Sequence, residues 1–409
     1  MICVKPTYVV FAAGSGSRLW PSTEEQQKCL LHVLGRPLLE WTFEEMGEAA
    51  GKIVFVVGEK KENIIKRFGK YPHVSFVEQK ERRGTGHALL QAEQAVEGDF
   101  VTIMGDDFAE PSFFKLIAET VAAKKYAAFG KKVDDRRRFG VLFEKNGLLT
   151  NLIEKPPEPG PGLANTNVFY LPKEFFSYLH KLSLSPRGEY ELTDAVKEFA
   201  KNHDLAVKEY GGYWNGLTYY WNYLDVNKYA LQHMLQEKTL GEVEKKVSID
   251  GKMFLGENSV IKSGTRVEGN AYIGADCVIG PNAFIRGGTV IEDDCKIVNS
   301  EVKASVLMHE THAQHFSYIG DSVVCEKVNF GAGSKVANLR FDDENIKVDV
   351  NGKLVDSGRR KLGAAIGAHT KIGLNAAINC GVLIGRNCRI HPNTFVKRNL
   401  PNDTVFNGE

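Results

Sequence analysis

The C-terminal part of this 409-residue chain carries an aliphatic side chain at every sixth position, in two unbroken series. A period of six fits neither the 3.6-residue turn of an α-helix nor the two-residue alternation of a single strand. It is typical of a parallel β-helix, in which each face of the coil repeats one hexapeptide. The spacing therefore predicts a β-helix over residues 251–409. The series consist of Leu255, Ile261, Val267, Ile273, Ile279, Ile285, Ile291 and Ile297, then Ile366, Ile372, Ile378, Ile384, Ile390 and Val396.

The other positions of the repeat indicate how the coil is built. Cys277, Cys295 and Cys388 stand four residues after an aliphatic, where most repeats have a small residue, so we interpret them as core residues rather than ligands. Between the two series, Lys303–Lys361 departs from the hexad, and we expect loops that leave the coil there. Corners that need a positive φ are expected at the glycines 256, 274, 280, 367, 373 and 385.

Residues 1–230 alternate between short apolar runs and helix-like stretches, which predicts an α/β domain with a mainly parallel sheet covered on both faces. Residues 125–210 are more mixed, with hairpin-like segments, and residues 231–250 are expected to form a linker. The predicted strands are Tyr8–Phe11, Ile53–Val57, Val74–Glu78 and Phe100–Met104, and the predicted helices are Pro37–Ala50, Lys60–Phe68, Gly86–Val96 and Pro111–Lys124.

Composition excludes several classes of partner. The 52 Lys and Arg nearly balance the 51 Asp and Glu, and this net charge of +1 argues against nucleic acid. No run of 18 apolar residues is present, so we expect no membrane span. The stretch 1–6 is too short and polar for a secretory signal, and the seven scattered cysteines contain no CxxC pair. We therefore expect a cytoplasmic protein with reduced thiols.

A glycine-rich turn follows the first predicted strand, in the run from Phe11 to Pro21 that contains Gly14, Gly16 and Arg18. Such a turn lets backbone N–H groups approach a phosphate closely. It lacks the Gly-Lys-Ser/Thr of a P-loop and the complete dinucleotide fingerprint. Arg18 and Lys28 are cations placed for a triphosphate, although either one alone is more often a solvated surface residue.

These motifs resemble those of the sugar-1-phosphate nucleotidyltransferases, whose Rossmann-like (GT-A-like) fold is thereby expected for this domain. The resemblance implies a catalytic role for Arg18 and Lys28 and a metal-binding role for Asp106, which follows Gly105. The nucleotide-binding residues it implies are Ala13, Gly14, Gly16, Gln79, Gly84 and Thr85, with Gln79 and the glycine turn after it facing the base.

Further positions match the family's contacts to the sugar phosphate, namely Glu154, Lys155 and Asn165. Glu189 to Asp194 resembles another family segment near the sugar. The second metal ligand is assigned to Asn215, with Asp225 as the alternative. Two residues depart from the family pattern: Gln27 stands where proline is usual, and Asn167 stands where glycine is common.

The resemblance implies a definite reaction. An oxygen of a sugar-1-phosphate attacks the α-phosphorus of UTP or dTTP, and pyrophosphate leaves. Mg²⁺ would be held by Asp106, Asn215 and phosphate oxygens. Arg18 and Lys28 would stabilise the charge that builds up on the pyrophosphate. The identities of the sugar and of the pyrimidine stay open.

A second group of chemically capable residues lies where the hexad is interrupted. His315 is a candidate general base, and Tyr318, Asn329 and Asn338 are polar residues that adjacent coils could bring together. The segment resembles the acetyltransferase site of the bifunctional N-acetylglucosamine-1-phosphate uridylyltransferase/glucosamine-1-phosphate acetyltransferase family, in its archaeal-type form. His315 would then deprotonate the amine that attacks acetyl-CoA, and Lys303 would bind phosphate.

The same resemblance implies a left-handed β-helix and a homotrimer. Within the insert 339–361, Asn351-Gly352 predicts a hairpin turn. The consecutive cations Arg359, Arg360 and Lys361 are expected either to bind the phosphates of the sugar or of CoA, or to form a solvated basic corner.

Three functions remain open from the sequence. The leading one is a bifunctional enzyme that acetylates glucosamine-1-phosphate and then transfers a uridylyl group to the product. In the second, the chain is a monofunctional uridylyl- or thymidylyltransferase for glucose-1-phosphate, and its β-helix serves assembly. In the third, the chain is a non-catalytic regulatory subunit; the joint presence of Gly14, Arg18, Lys28 and Asp106 argues against it.

Overall fold

A computed structural model of the protein describes residues 5–408, so that most of the polar stretch 1–6 lies outside the described residues. The residue contacts divide the chain into two units. The N-terminal unit comprises the chain up to Ser15 together with Leu38–Gly216. The C-terminal unit comprises Gly16–Pro37 together with the chain from Leu217 onward. The segment Gly16–Pro37 therefore belongs to the C-terminal unit, although it directly follows the first strand and the start of the glycine turn.

The elements before residue 235 are strands and short helices. The helices are α1 (Leu38–Met46), α2 (Lys61–Phe68), α3 (Thr85–Gln91), α4 (Pro111–Ala122), α5 (Phe176–Leu179), α6 (Leu192–Ala200) and α7 (Tyr220–His233). The strands are β1 (Thr7–Ala12), β2 (His32–Val33), β3 (Arg36–Pro37), β4 (Lys52–Val57), β5 (Val74–Glu78), β6 (Phe100–Met104), β7 (Asp107–Ala109), β8 (Ala127–Val133), β9 (Gly140–Lys145), β10 (Leu148–Glu154), β11 (Gly162–Leu171), β12 (Ala206–Tyr210) and β13 (Trp214–Gly216).

The N-terminal unit is organised around one nine-stranded sheet in the order β5-β4-β1-β6-β11-β8-β12-β10-β9. Strands β5, β4, β1 and β6 run parallel, whereas β11 is antiparallel to both of its neighbours in that order. The central strand β1 is buried along its whole length, because it is covered on both faces. The expected α/β class is confirmed, and the predicted strands and helices are observed to within a few residues, apart from single-turn 3₁₀ ends on two helices.

The C-terminal unit is a parallel β-helix made of three sheets, and each strand pairs with the equivalent strand of the next coil. The first sheet contains β14 (Lys238–Thr239), β17 (Met253–Leu255), β20 (Ala271–Ile273), β23 (Thr289–Ile291), β26 (Val306–Leu307), β29 (Val323–Val324), β34 (Ala365–Ile366) and β37 (Leu383–Ile384). The second contains β15 (Glu242–Val243), β18 (Val260–Ile261), β21 (Val278–Ile279), β24 (Lys296–Ile297), β27 (His312–Ala313), β30 (Asn329–Phe330), β35 (Lys371–Ile372), β38 (Arg389–Ile390) and β40 (Val405–Phe406). The third contains β16 (Ser248–Asp250), β19 (Arg266–Glu268), β22 (Phe284–Arg286), β25 (Glu301–Lys303), β28 (Tyr318–Gly320), β31 (Lys335–Val336), β36 (Ala377–Ile378) and β39 (Phe395–Val396). Residues 238–250 are thus the first coil, within the range expected to be a linker.

Every aliphatic residue of the two hexad series is buried in one continuous core, together with Cys277, Cys295 and Cys388. The loops expected within Lys303–Lys361 are found at residues 339–361, whereas residues 303–338 remain part of the coil. The inward series continues through the interruption, but three of its steps span five residues instead of six, since shorter corners remove one residue each. The residues that continue it are Val302, Leu307, Ala313, Ile319, Val324, Phe330 and Val336.

Only residues 339–361 leave the coil within the described part of the chain. They form a hairpin from β32 (Lys347–Val350) and β33 (Lys353–Asp356). Its turn residues Asn351 and Gly352 both have positive φ, at 53° and 77°, as a two-residue hairpin turn requires. The predicted hairpin turn is confirmed.

The glycines of the coil serve a different purpose from the expected one. Of the six predicted corner glycines, only Gly280 has a positive φ, at 93°. At Gly256 an added Cβ would lie 2.4 Å from the backbone carbonyl carbon of Gly274 in the next coil, so glycine is needed for close stacking. Among the non-glycine residues with a positive φ, most corners are held by asparagine and aspartate, such as Asn258 and Asp276, which tolerate this conformation better than other side chains.

Within the C-terminal unit, the segment Gly16–Pro37 and helix α7 lie against the coil. Tyr223 Oη donates to the carbonyl oxygen of His32 at 2.6 Å. A Cβ at Gly35 would lie 2.1 Å from Oη of Tyr272, a coil residue, so the loop contacts the first sheet directly. In the described part of the chain, no helix is both long and apolar enough to cross a membrane.

Candidate active sites

The glycine turn begins where β1 ends. Ala13 is buried, whereas a Cβ at Gly14 would meet no atom within 4 Å, so the backbone there faces open space. Gly16 has a φ of 70°, and a Cβ there would lie 2.7 Å from the Thr23 methyl group. Glycine at position 16 is therefore required by both conformation and packing.

Gln79 follows strand β5, at the same edge of the sheet where β1 and β6 end. Its side chain is buried, and Nε2 donates to the carbonyl oxygen of Gly84 at 3.1 Å and lies 3.1 Å from Nδ1 of His87. Burial lowers the pKa of His87, with the positive charge of Arg83 acting in the same direction, so a neutral ring is favoured. With both amide protons of Gln79 engaged by protein, its Oε1 is left to accept a hydrogen bond.

Gly84 and Thr85 lead into helix α3. Gly84 has a φ of 101°, and a Cβ there would lie 2.6 Å from the carbonyl oxygen of Tyr190. The Thr85 hydroxyl accepts a hydrogen bond from the backbone N–H of Leu192 at 3.3 Å. These two residues are thus fixed against the segment Glu189–Asp194, a neighbour that the sequence motif did not indicate.

The candidate metal ligands lie on the short antiparallel pair β7–β13. Asp106 directly precedes β7, and in this pair Asn215 is opposite Phe108. Asn215 Nδ2 donates to Tyr213 Oη at 3.3 Å, which leaves its Oδ1 available as an oxygen ligand. The alternative ligand Asp225 instead forms an ion pair with Arg359 in the C-terminal unit, so we retain Asn215.

The donor types around Asp106 suit a metal ion that arrives with a phosphate. Among residues 5–408, no three His, Cys, Asp or Glu side chains gather into a cluster that could hold a metal ion by itself. Mg²⁺ is commonly bound through one or two carboxylates plus substrate phosphates and waters. One carboxylate and one amide oxygen therefore fit this ion.

The candidate sugar-phosphate residues belong to β10 and β11. Asn165 is buried, and its Nδ2 donates to Oδ1 of Asn167 at 2.9 Å. Asn167 has a φ of 57°, which explains why glycine is common at this position of the family. Glu154 accepts from Arg187 Nη1 at 3.0 Å and lies 3.7 Å from Nζ of Lys155.

Arg187 was not predicted as a site residue, yet it forms ion pairs with Glu154, Glu189 and Glu191, at 3.0, 3.1 and 3.4 Å. Only the placement of Arg187 close to the motif Glu189–Asp194 could have indicated it from the sequence.

The two candidate catalytic cations belong to the C-terminal unit. Arg18 is exposed, and its guanidinium carbon lies 5.9 Å from the ring centroid of Tyr219. Lys28 opens a single-turn 3₁₀ helix, Lys28–Leu30, whose other residues are buried. Burial of Cys29 and Leu30 fixes the backbone that carries the lysine.

On the third sheet of the β-helix, four side chains form what we call the Asp321 cluster: Lys303, Tyr318, Asp321 and Asn338. Lys303 Nζ donates to both carboxylate oxygens of Asp321, at 2.9 and 2.8 Å. Asn338 Nδ2 donates to Asp321 Oδ2 at 2.5 Å and to Tyr318 Oη at 3.1 Å. Three of the predicted residues are thereby brought together through an aspartate to which no role was assigned from the sequence.

His315 and Asn329 lie elsewhere on the coil. His315 is exposed in the corner between β27 and β28, and its carbonyl oxygen accepts from the N–H of Gly333 at 2.8 Å. Asn329 is exposed on β30 of the second sheet, whereas Tyr318 is on the third. Among the described residues, the hydrogen bonds of the Asp321 cluster do not reach either of them.

Asn329 lines a cleft of ≈ 750 Å³ on the second sheet, which we call the basic cleft. Glu310 is the single carboxylate in its lining. By contrast, Arg359 and Arg360, the candidate phosphate ligands of the insert, are ion-paired with Asp225 and Asp343. The cations and histidines of the basic cleft are His312, Lys327, His369, Lys371, Arg386 and Arg389.

Three family models match successive parts of the chain. Residues 7–233 match the family described as nucleotidyl transferase. Residues 265–356 match the GMPPB C-terminal domain, and residues 363–398 match the hexapeptide repeat of succinyl-transferase.

Two curated relatives are similar along nearly the whole chain. A bifunctional sugar-1-phosphate nucleotidylyltransferase/acetyltransferase of Sulfurisphaera tokodaii is 42% identical over 96% of this chain and 97% of its own length. The bifunctional protein GlmU of Methanocaldococcus jannaschii is 36% identical over 97% of this chain and 96% of its own.

Solved structures match a little over half of the chain. A putative glucose-1-phosphate thymidylyltransferase from Bacillus anthracis is 26% identical, with a TM-score of 0.52, and the match spans 57% of this chain and 97% of that one. A UDP-glucose pyrophosphorylase bound to UDP-glucose matches with a TM-score of 0.50 at 21% identity, which supports the fold alone.

Proposed function

Because the chain belongs to the family of bifunctional sugar-1-phosphate nucleotidyltransferases/acetyltransferases, we propose that it synthesises UDP-N-acetylglucosamine in two steps. In the first, glucosamine-1-phosphate is acetylated by acetyl-CoA. In the second, the product receives a uridylyl group from UTP and pyrophosphate is released. The observation that carries the first step is the Asp321 cluster, since a β-helix that served only assembly would not need a buried carboxylate joined to three partly buried polar side chains in this way.

For acetyl transfer, the side chains have separable roles. His315 takes a proton from the amino group of the acceptor, whose nitrogen attacks the thioester carbonyl. The C–N bond forms, the C–S bond breaks, and the thiolate of CoA leaves. Lys303 faces the acceptor's phosphate, and Tyr318 and Asn338 orient the amine and the acyl group.

Acetyl-CoA carries several phosphates that need cations. We assign them to the basic cleft, because Lys371 and Arg389 lie on adjacent strands above Asn329, which is a candidate contact of the acetyl-transfer site. The ion pairs of Arg359 and Arg360 make those two residues less available for this task.

For uridylyl transfer, the protein positions two substrates in line and neutralises charge. Arg18 and Lys28 stabilise the departing pyrophosphate, while Gly14 lets the backbone approach the triphosphate. Gln79 Oε1 accepts a hydrogen bond from the pyrimidine imide. Asp106 and Asn215 would hold Mg²⁺, which when bound would draw charge from the phosphate oxygens.

We also propose a cytoplasmic homotrimer. Within one chain, Asn329 and Tyr318 are on different sheets of the β-helix, so a neighbouring subunit can complete an acetyl-transfer site that a single chain leaves divided. Among the described residues all six cysteines are free thiols, as suits a reducing compartment.

The test is an end-point assay of the purified protein on glucose-, glucosamine- and galactosamine-1-phosphate and their N-acetyl forms, each with UTP or dTTP, with and without acetyl-CoA. We expect pyrophosphate from N-acetylglucosamine-1-phosphate and UTP, and CoA release only with the free amino sugar. Pyrophosphate release without any acetyl-CoA consumption would instead support the monofunctional alternative.

A further inference from the structure

Asp321 receives hydrogen bonds from side chains of two other coils. Lys303 lies on the preceding coil, in β25, and is paired in the sheet with Gly320 of β28. Asn338 follows β31 in the next coil. The side chains of Asp321 and Lys303 are only 10% and 19% exposed. A buried carboxylate is costly unless its partners are well placed. Here both of its oxygens are occupied, so the pair is well satisfied.

The backbone holds this carboxylate in place from both sides. The N–H of Asp321 donates to the carbonyl oxygen of Lys303 at 2.8 Å, and the N–H of Gly363 donates to the carbonyl oxygen of Asp321, also at 2.8 Å. Asp321 has a φ of 50°, the left-handed conformation of a coil corner. The position of the carboxylate is therefore fixed by the stacking of three coils.

This arrangement determines which atoms of Asn338 and Tyr318 donate hydrogen bonds and which accept them. The two amide protons of Asn338 point to Asp321 and Tyr318, which leaves Oδ1 as the acceptor that can face a substrate. Tyr318 Oη accepts from Asn338 and keeps its own proton to donate. Burial raises the pKa of Tyr318, and the charge of Asp321 raises it further, so the phenol stays protonated.

Space is available beside the ion pair. Lys303 and Asp321 line a cavity of ≈ 520 Å³ within the C-terminal unit, and its corner is formed by Gly269, Gly287 and Gly288, which have no side chains to fill it. This volume is typical of sites for small molecules. Two protons of the Lys303 ammonium are held by Asp321, and the third is left for an anion.

We propose that Asp321 is a positioning residue for acetyl transfer: it aims Lys303 at the phosphate of the acceptor and turns Asn338 so that Oδ1 accepts from the acceptor's amino group. The inference rests on the proposed function, since it presumes an amino-sugar phosphate as acceptor. Asp321 itself does not contact the reacting atoms. It acts by fixing the orientation of the Lys303 ammonium group and of the Asn338 amide group.

The test replaces Asp321 in the full-length protein by Asn, which has the same shape but presents an NH₂ group to one of two donors. We expect kcat/KM for glucosamine-1-phosphate to fall about 10- to 100-fold, the effect of losing one charge-assisted hydrogen bond. The KM for this acceptor should rise, while the KM for acetyl-CoA and the rate of pyrophosphate release stay unchanged. The matched control is Asp276→Asn, because Asp276 is an exposed corner aspartate with a φ of 56°, and this variant should behave as wild type.

Two further variants make the test decisive. Asp321→Glu keeps the charge but moves it by one methylene, so it should also raise the acceptor KM; if Asp321→Asn does not fold, this variant decides. Adding Asp321→Asn to Asn338→Ala should cost less than the two single effects combined, because both act through one hydrogen bond. If wild type acetylates the amino sugar and the Asp321 variants match it, the inference is overturned. If wild type acetylates no acceptor, the proposed function fails, and this inference fails with it.

Discussion

The two candidate sites are held by different kinds of scaffold. In the N-terminal unit, Gly14, Gln79 and Asp106 follow the carboxyl ends of parallel strands, so loops carry the chemistry. In the β-helix, Lys303, Tyr318 and Asp321 are on or beside strands whose register the neighbouring coils dictate. A loop site can admit and close around a large nucleotide, whereas a coil site presents side chains at fixed spacings. The comparison implies that the two activities should fail independently.

Removal of the metal ion should have the most different effects on the two activities. Treatment with EDTA should reduce pyrophosphate release to the uncatalysed background, because the negative Asp106 and the neutral Asn215 supply no positive charge to the phosphates once Mg²⁺ is removed. Acetyl transfer should continue at its normal rate, since the Asp321 cluster uses only side chains. Both reactions are followed in one sample, and added Mg²⁺ should restore pyrophosphate release. Loss of CoA release under EDTA would contradict the separation.

Substitution of the general base should give the converse result. His315→Ala should lower the rate of acetyl transfer roughly 10²- to 10⁴-fold, the usual contribution of a positioned base. Pyrophosphate release from N-acetylglucosamine-1-phosphate should be unchanged. His309→Ala, at a nearby half-exposed histidine on the same unit, serves as the control. If both activities of the His315 variant fall while its unfolding temperature is unchanged, the division of labour is wrong.

Substitution of Asp106, the proposed metal ligand in the N-terminal unit, should have a somewhat smaller effect. Asp106→Ala should lower pyrophosphate release roughly 10²- to 10³-fold, the scale on which one group that stabilises transition-state charge lowers kcat. Initial rates over a range of Mg²⁺ concentrations should show weaker dependence on the metal, and CoA release should be normal. Full activity of this variant would refute the assignment of Asp106.

The smallest effect is expected at Gly320, which lies beside the Asp321 cluster. A Cβ there would come within 2.6 Å of Tyr318 Oη and 2.7 Å of Asn338 Nδ2, both ends of side chains that can move. Gly320→Ala should therefore fold and lower acetyl transfer roughly tenfold or more by displacing those groups. Gly256→Ala meets backbone atoms instead and should lower the unfolding temperature. Activity assays and thermal unfolding of both variants compare the two cases, and a Gly320 variant with wild-type acetyl transfer would contradict the first.

The β-helix could be predicted from the sequence wherever its spacing is strict. The hexads identified the inward residues of 255–297 and 366–396, but not those from Val302 to Val336, since corners shortened by one residue disguise the period. The nucleotide motifs identified strand ends correctly. The assignment of Gly16–Pro37 to the C-terminal unit was not predictable, because it depends on packing against the coil and helix α7.

Asp321 illustrates the same limit within a site. The chemistry of its neighbours Tyr318 and Asn338 identifies them as candidates from the sequence. The hydrogen bonds that join them to Asp321, however, depend on the order in which the coils stack. That stacking follows from the shortened corners, and only the three-dimensional register reveals it. A sequence can thus supply the members of a hydrogen-bonded group without supplying the residue that joins them.

The stacking of coils also makes the β-helix a molecular ruler. Equivalent positions on adjacent coils are separated by one strand spacing, about 4.8 Å. Glu268, Arg286 and Lys303 occupy one such column, which continues to the uncharged Gly320, so three charges are arranged along it in equal steps. Inserting or deleting a whole coil would move a functional group by one step and leave its direction unchanged. The distance between anchoring charge and reacting group can therefore change only in discrete increments, which restricts the lengths of acceptor that such a scaffold can come to recognise.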